Sequence, residues 1–328
     1  MFKKILLATV VFTFPFVVHA DFVKGEQLFK EGNYSSAFSA FLPSADAGDA
    51  RSQYYVGYLY YNGLGVSQNL KKAVEYLTAS ANKNNANAQS LLGYMYDRGE
   101  GVPLNKKKAI EFYQKAVEQQ DATAMVNLSL AYYNGDGVLM DTQKAIELLS
   151  GVPTDELRPY VGRYLGEFYM ATENEDKVEK AKDYLIQSAK VNDIPAFYLL
   201  GQIYEQQADL NRAASYYTYA AANNYAPAQY VLASMYLAGS GVERSLITGH
   251  AWLEMAANQQ YDPAKESLEE LGRSMTLSQV EKARVEFNRI QRDIIKQVES
   301  PLVYEERQRQ IEIANTPKQE PIIIRRRR

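Results

Sequence analysis

The 328-residue chain contains no cysteine, only two histidines and a single tryptophan. Without cysteine there is no disulfide, no thiolate metal site, no cysteine nucleophile and no lipid-bearing cysteine. The histidines are His19 and His250. His19 lies in a segment expected to be removed, which leaves the mature chain one imidazole. A multi-histidine metal site within one chain is therefore excluded, and imidazole acid–base chemistry has one candidate. No metal or cofactor is expected. Long apolar runs are also missing after the first twenty residues, so no later stretch is expected to cross a bilayer. The 46 % hydrophobic and 23 % charged fractions are those of an ordinary soluble globular protein. Tyrosine is in excess, with 26 copies against 12 phenylalanines.

Residues 1–20 read as a secretory signal peptide. Lys3 and Lys4 open it, an apolar run follows from Ile5 to Val18, and Val18 and Ala20 are the small residues of a cut before Asp21. The run is short for a membrane span, and Pro15 interrupts it. The mature protein is expected to be exported and periplasmic or secreted. Loss of Lys3 and Lys4 takes the net charge from −3 to −5, and without Arg325–Arg328 residues 21–324 carry −9. An acidic body repels phosphate backbones, so nucleic acid is not expected as a partner.

The chain repeats itself at a step of about 36 residues. Gly57, Gly93 and Ser129 stand one step apart, as do Tyr60, Tyr96 and Tyr132, and likewise Ala73, Ala109 and Ala145. With a drift of a few residues the columns continue through Gly166, Gly201 and Ala233, through Tyr169, Tyr204 and Tyr236, and through Ala181, Ala213 and Gly249. Six units thus fill residues 50–261, preceded by a shortened one at 21–49. Apolar residues at three- and four-residue steps make each unit a pair of helices. Small residues let the pair approach closely, and the tyrosine offers a ring to bury with its hydroxyl near a polar edge. Four units join their helices by Gly-x-Gly-Val, at Gly63, Gly99, Gly135 and Gly239. These glycines supply turn conformations that other residues resist. A phosphate loop would require a preceding strand and a different glycine frame, so the recurring glycines are structural joints.

The stretch from Leu92-Gly93-Tyr94-Met95-Tyr96 through Gly99-Glu100-Gly101-Val102-Pro103 to Lys108-Ala109-Ile110-Glu111-Phe112-Tyr113 resembles one nearly complete Sel1-like repeat, a relative of the tetratricopeptide repeat. The resemblance covers about residues 50–290. It extends to Ala251–Ala257 and Met275–Gln279, which look like the closing segment of bacterial members. Thr276 and Gln279 also form a capping-box pattern. The units around Gly166 and Gly201 depart from the pattern: they lack the glycine joint and look more like ordinary tetratricopeptide units. The third unit stops early at Gly151-Val152-Pro153, and with Pro159 close behind, a kink or offset is expected there. The resemblance implies an all-α, right-handed superhelical solenoid of stacked helix pairs, closed by capping helices at 262–299. It implies a partner-binding scaffold and carries no catalytic residues.

Columns that vary between units mark the surface expected to be concave. They give Tyr54, Tyr58 and Tyr61 in the first unit, Ser90, Tyr94 and Asp97 in the second, and Val126, Leu130 and Tyr133 in the third. Arg163, Glu167 and Met170 follow, then Tyr198, Gln202 and Glu205, then Tyr230, Ser234 and Leu237. The first three sets are rich in tyrosine and poor in charge. Tyr54, Tyr58, Tyr61, Tyr94, Val126, Leu130 and Tyr133 are therefore the candidate partner-binding residues, for a protein or peptide. The alternative reading has the same rings packing against neighbouring units.

Glu173, Glu175 and Asp176 read as a solvated acidic loop, because a calcium site needs more convergent oxygens. His250 has no serine or carboxylate partner at a triad spacing and reads as structural or surface. Residues 300–328 change character, with three prolines, Ile322-Ile323-Ile324 and Arg325-Arg326-Arg327-Arg328. Glu305 to Ile313 can form one charged helix, and the segment as a whole reads as a disordered solvated tail, as a clip that docks on anionic lipid or an acidic partner, or as a segment folded back onto the acidic solenoid. Taken together, these features predict a non-catalytic exported scaffold in envelope assembly or signalling. The alternatives are a secreted factor contacting other cells and a cell-wall enzyme, for which the repeat columns leave no convergent acid and base.

Overall fold

The computed structural model describes residues 14–153, 158–172 and 176–315, and among them there is no strand. The chain divides into two bodies, residues 1–157 and 158–328. Each is an all-α solenoid of helix pairs. In the first body the pairs are α1 (Phe14–Lys30) with α2 (Tyr34–Asp46), α3 (Ala50–Asn62) with α4 (Leu70–Ala81), α5 (Ala86–Arg98) with α6 (Lys106–Val117), and α7 (Ala122–Asn134) with the short α8 (Thr142–Ser150). In the second they are α9 (Arg158–Met170) with α10 (Lys177–Lys190), α11 (Ile194–Gln206) with α12 (Leu210–Ala222), and α13 (Ala226–Ala238) with α14 (Leu246–Asn258). Every second helix also packs on the first helix of the pair that follows it within its body.

Each column of the repeat has a steric reason. The alanines of the second helices, Ala37, Ala73, Ala109, Ala145, Ala181 and Ala213, are buried at the helix crossing. The glycines of the first helices leave room for a side chain from the second. A Cβ on Gly93 would lie 2.6 Å from the Tyr113 ring, and one on Gly57 2.7 Å from Leu77 Cγ. The column tyrosines stack on the second helix, Tyr60 on Tyr76, Tyr96 on Phe112 and Tyr169 on Tyr184. A cation also lies over each column tyrosine of these units: Lys72, Lys108, Lys144 and Lys180 lie over Tyr60, Tyr96, Tyr132 and Tyr169. The polar edge expected for the tyrosine hydroxyl is present, since Lys108 Nζ donates to Tyr96 Oη at 2.7 Å.

The glycine joints do two jobs. The first glycine of each, Gly63, Gly99, Gly135 and Gly239, is a left-handed C-cap with φ between 68° and 79°. The second is left-handed as well and touches the second helix of the preceding pair: a Cβ on Gly241 would sit 2.1 Å from the Leu210 carbonyl oxygen. The loop then returns to the helix it left. The backbone N–H groups of Asn69, Asn105, Asp141 and Ser245 donate to the carbonyls of Tyr60, Tyr96, Tyr132 and Tyr236. The same Asn69, Asn105 and Asp141 cap the second helices with their side chains.

The break between the bodies falls where the repeat stops early, after Gly151. Pro159 lies in the first turn of α9, where its missing N–H is not needed. Residues 21–49 hold α2 and the part of α1 from Asp21 to Lys30. Beyond α14 come α15 (Asp262–Ser274) and α16 (Leu277–Arg289), both packed on α14. The capping box of Thr276 and Gln279 forms at the start of α16. The charged helix expected over Glu305–Ile313 lies within α17 (Pro301–Asn315), so the first half of the tail is helical and not disordered. It rests on α12, with Tyr216 Oη donating to Glu305 Oε2 at 3.4 Å and Arg212 pairing the same carboxylate. Burying Pro301 and half-burying Leu302 ties this segment to the core.

Candidate partner-binding surface

The first helices α3, α5 and α7 carry the candidate residues at equivalent positions of successive repeats, spaced by four and three residues so that each set shares one face of its helix. Asp49, Asn85 and Asp121 start these helices by accepting from the N–H three residues on. The face they present is only partly open. Tyr54 and Tyr61 lean onto the hydrophobic core. Tyr54 touches the rings of Tyr55 and Tyr58 at 5.3 and 6.0 Å, and Tyr61 Oη donates to Glu100 Oε2 at 2.5 Å. Burial pushes both phenols well above their ordinary pKa, helped at Tyr54 by Tyr58 and at Tyr61 by Glu100. Both stay neutral donors at any ordinary pH.

Tyr58 meets Phe29 of α1 edge-on at 5.8 Å and is half-buried. Val126, Leu130 and Tyr133 are half-buried on α7. Tyr94 is the open member at 36 % exposure. The packing reading thus describes Tyr54 and Tyr61, and in part Tyr58, while Tyr94 is exposed.

In the second body the corresponding positions differ in chemistry. Arg163 Nε lies 3.0 Å from Asp193 Oδ2. Half-buried Glu167 sits near the same guanidinium, and burial outweighs that attraction to raise its pKa. Tyr198 and Tyr230 each meet the residue that starts the next first helix, Tyr225 at 5.4 Å and Tyr261 at 5.7 Å. The column reading missed Asp193, Tyr225 and Tyr261. The signal was available: all three occupy the N-cap column begun by Asp49, Asn85 and Asp121.

His250 is 8 % exposed, its Nδ1 has no hydrogen-bond partner, and burial holds its pKa below the usual imidazole value. Glu254 Oε2 lies 3.9 Å from that nitrogen. Among the described residues no three histidine, aspartate or glutamate side chains converge as a metal site. Two clefts, of about 530 Å³ between α1 and α2 and about 650 Å³ between α14 and α16, are shallow and lie off the tyrosine face. No helix among the described residues is long and apolar enough to cross a membrane. Arg325–Arg328, Glu173, Glu175 and residues 1–13 lie outside the described residues.

Comparison with known proteins agrees with this architecture. The Sel1 repeat matches residues 50–85, 86–121, 122–150, 196–225 and 226–261, just over half of the chain. The pair α9/α10, which lacks the glycine joint, falls outside those matches. No curated protein matches the chain. Among solved structures it is similar to a Sel1 repeat protein from Oxalobacter formigenes, at 27 % identity and TM-score 0.62 over 72 % of this chain and 96 % of that one. A protective antigen of uropathogenic Escherichia coli with an SLR fold aligns at 20 % identity and TM-score 0.43, over 95 % of this chain and 81 % of that one. With its glycine joints, buried alanine column and five matched repeats, this chain is a member of the Sel1 repeat family.

Proposed function

We propose that the protein is an exported, non-catalytic scaffold that binds a protein or peptide partner through the first-helix face of residues 50–134, in envelope assembly or signalling. Sel1 repeats are in general protein-interaction scaffolds, which supports the binding half of this reading. The observation that carries the choice of face is Tyr94, exposed in a row with half-open Tyr58, Val126 and Leu130 and with no charge among them. Tyrosine gives large contact area at small entropy cost. The export half rests on Lys3, Lys4, the apolar run and Ala20.

The test is site-specific photo-crosslinking from position 94 in growing cells, beside a variant that carries the same crosslinker and Tyr58→Ala and whose fold is checked by circular dichroism. One discrete adduct that disappears when Tyr58 is also replaced by alanine supports the face. Unchanged capture by the folded variant removes it. Fractionation and N-terminal sequencing address export: a mature chain starting at Asp21 in periplasm or medium is the expected result, and an uncleaved cytoplasmic chain refutes it.

A further inference from the structure

The first-helix columns differ in charge between the two bodies. In the first, the variable positions of α3, α5 and α7 hold one charge, Asp97, and Lys106 pairs it at 2.8 Å. In the second, the same positions collect carboxylates. Glu167 stands on α9 and Glu205 on α11. Helix α15 continues the series: Tyr261 starts it as Tyr225 starts α13, so Glu266 and Glu270 take the places of Tyr230 and Ser234. None of these four acids has an ion pair among the described residues. Glu205 accepts a hydrogen bond from Tyr217 at 2.7 Å, which leaves it an ionised acceptor.

The two arginines in these columns are already engaged. Arg163, which also attracts Glu167, bonds Asp193 at 3.0 Å, and Arg273 pairs with Glu269. With those partners counted, six carboxylates stand against two cations, a net of −4. Further charges at the margins are sequence neighbours of opposite sign and cancel: Asp176 with Lys177, Glu243 with Arg244, and Asp262 with Lys265. Half-buried tyrosines lie between the acids, Tyr198 against Tyr225 and Tyr230 against Tyr261. A tyrosine face takes a guanidinium or an ammonium, as Tyr96 of the first body takes Lys108 at 4.2 Å.

These acids do not converge on one point, since no three make a metal site among the described residues. They are spread over α9, α11 and α15 instead. Packed helices lie about 8–10 Å apart, and an extended chain advances about 3.3 Å per residue. A strand with a basic residue at about every third position matches that spacing.

We propose that the first-helix face of the second body, from Glu167 to Glu270, is a docking surface for an extended protein segment rich in arginine or lysine. Charge complementarity selects this occupant, and the tyrosines supply the contact area. The proposal does not rest on the tyrosine face of residues 50–134, which lies in the other body and has no such charge.

The test is fluorescence anisotropy of the full chain with a labelled peptide of four Gly-Ser-Arg repeats, beside one of four Gly-Ser-Glu repeats. The arginine peptide is expected to bind, more weakly as salt rises, and the glutamate peptide to stay free. Glu266→Gln/Glu270→Gln should weaken binding at least about fivefold, whereas Asp183→Asn/Glu281→Gln, which removes the same charge from α10 and α16, should leave it within about twofold. All four positions are exposed, and a thermal melt verifies that the variants fold. Because the chain has no cysteine, Ser234→Cys places a single benzophenone on the face, and Ser215→Cys places one on α12. The arginine peptide should crosslink from position 234 and not from 215. Equal weakening by the two charge variants overturns the proposal, because the acidity of the whole chain then explains the binding. Equal crosslinking from both positions, or no binding of the arginine peptide, overturns it too. The rival occupant is Arg325–Arg328 of the chain itself: if replacing all four by serine tightens peptide binding at least about tenfold, that segment and not a partner fills the face, and the proposal falls.

Discussion

Gly93 and Gly272 both lie within helices, and replacing each by alanine is predicted to shift stability in opposite directions. Alanine is intrinsically better than glycine in a helix by about 0.5–1 kcal/mol. At Gly272 a Cβ would meet nothing within 4 Å, so Gly272→Ala keeps the whole gain. At Gly93 the Cβ would lie 2.6 Å from two carbons of the Tyr113 ring and 3.3 Å from the Ala109 carbonyl oxygen. Tyr113 is 2 % exposed and has no free space to swing into. Overpacking of this kind costs about 1–3 kcal/mol, so Gly93→Ala should destabilise by a net of about 1–2 kcal/mol. The assay is urea unfolding followed by circular dichroism, with Trp252 fluorescence for the second body, which contains Gly272. Tyr113→Ala supplies the second arm of a double-mutant cycle. With the ring gone, the cost of Gly93→Ala should vanish, a coupling of at least about 1 kcal/mol. Additive effects, or a Gly93→Ala protein as stable as the parent, would refute the claim that ring contact selects glycine in this column.

Three further outcomes follow from the same geometry. Gly241→Ala combines a φ of +68° with a Cβ 2.1 Å from the Leu210 carbonyl oxygen, and should cost about 3 kcal/mol or more in a chemical melt; a cost below about 1 kcal/mol would mean that the second joint glycine is not a contact residue. Lys83→Gln should stabilise by about 1 kcal/mol. Buried Gln53 Oε1 has no partner, whereas Gln89 and Gln229 each accept from the glutamine 30 residues on; Lys83 instead donates to the Gly48 carbonyl. An unchanged midpoint would show that the orphaned oxygen costs nothing. Glu167→Gln should raise Tm near pH 7, with the advantage shrinking as pH falls toward the ordinary value of 4.5. Burial raises the folded-state pKa, so the folded protein takes up the proton first and the parent regains stability on acidification. An advantage that grows on acidification contradicts that sign.

The sequence alone determined the repeat length, the helix pairs, the four glycine joints, the capping box at Thr276 and the family. Each is a local conformational demand or a periodicity repeated often enough to be read directly. The four left-handed joints use glycine, which adopts that conformation without strain, and a buried helix crossing calls for a small residue at every step. What only tertiary structure decided is which surface residues are spent. Tyr54 and Tyr94 occupy equivalent-looking variable columns, yet one leans on the core and the other stands open, because that depends on what the neighbouring pair places beneath the ring. The second glycine of each joint looks like turn chemistry in the sequence, and in the fold it is also the point where a loop meets the previous pair. Helix α17 is charged and flanked by prolines, and it is held by a carboxylate reaching Tyr216 and Arg212, 89 and 93 residues earlier in the chain. Contacts across such distances leave no periodic trace, since each is made once.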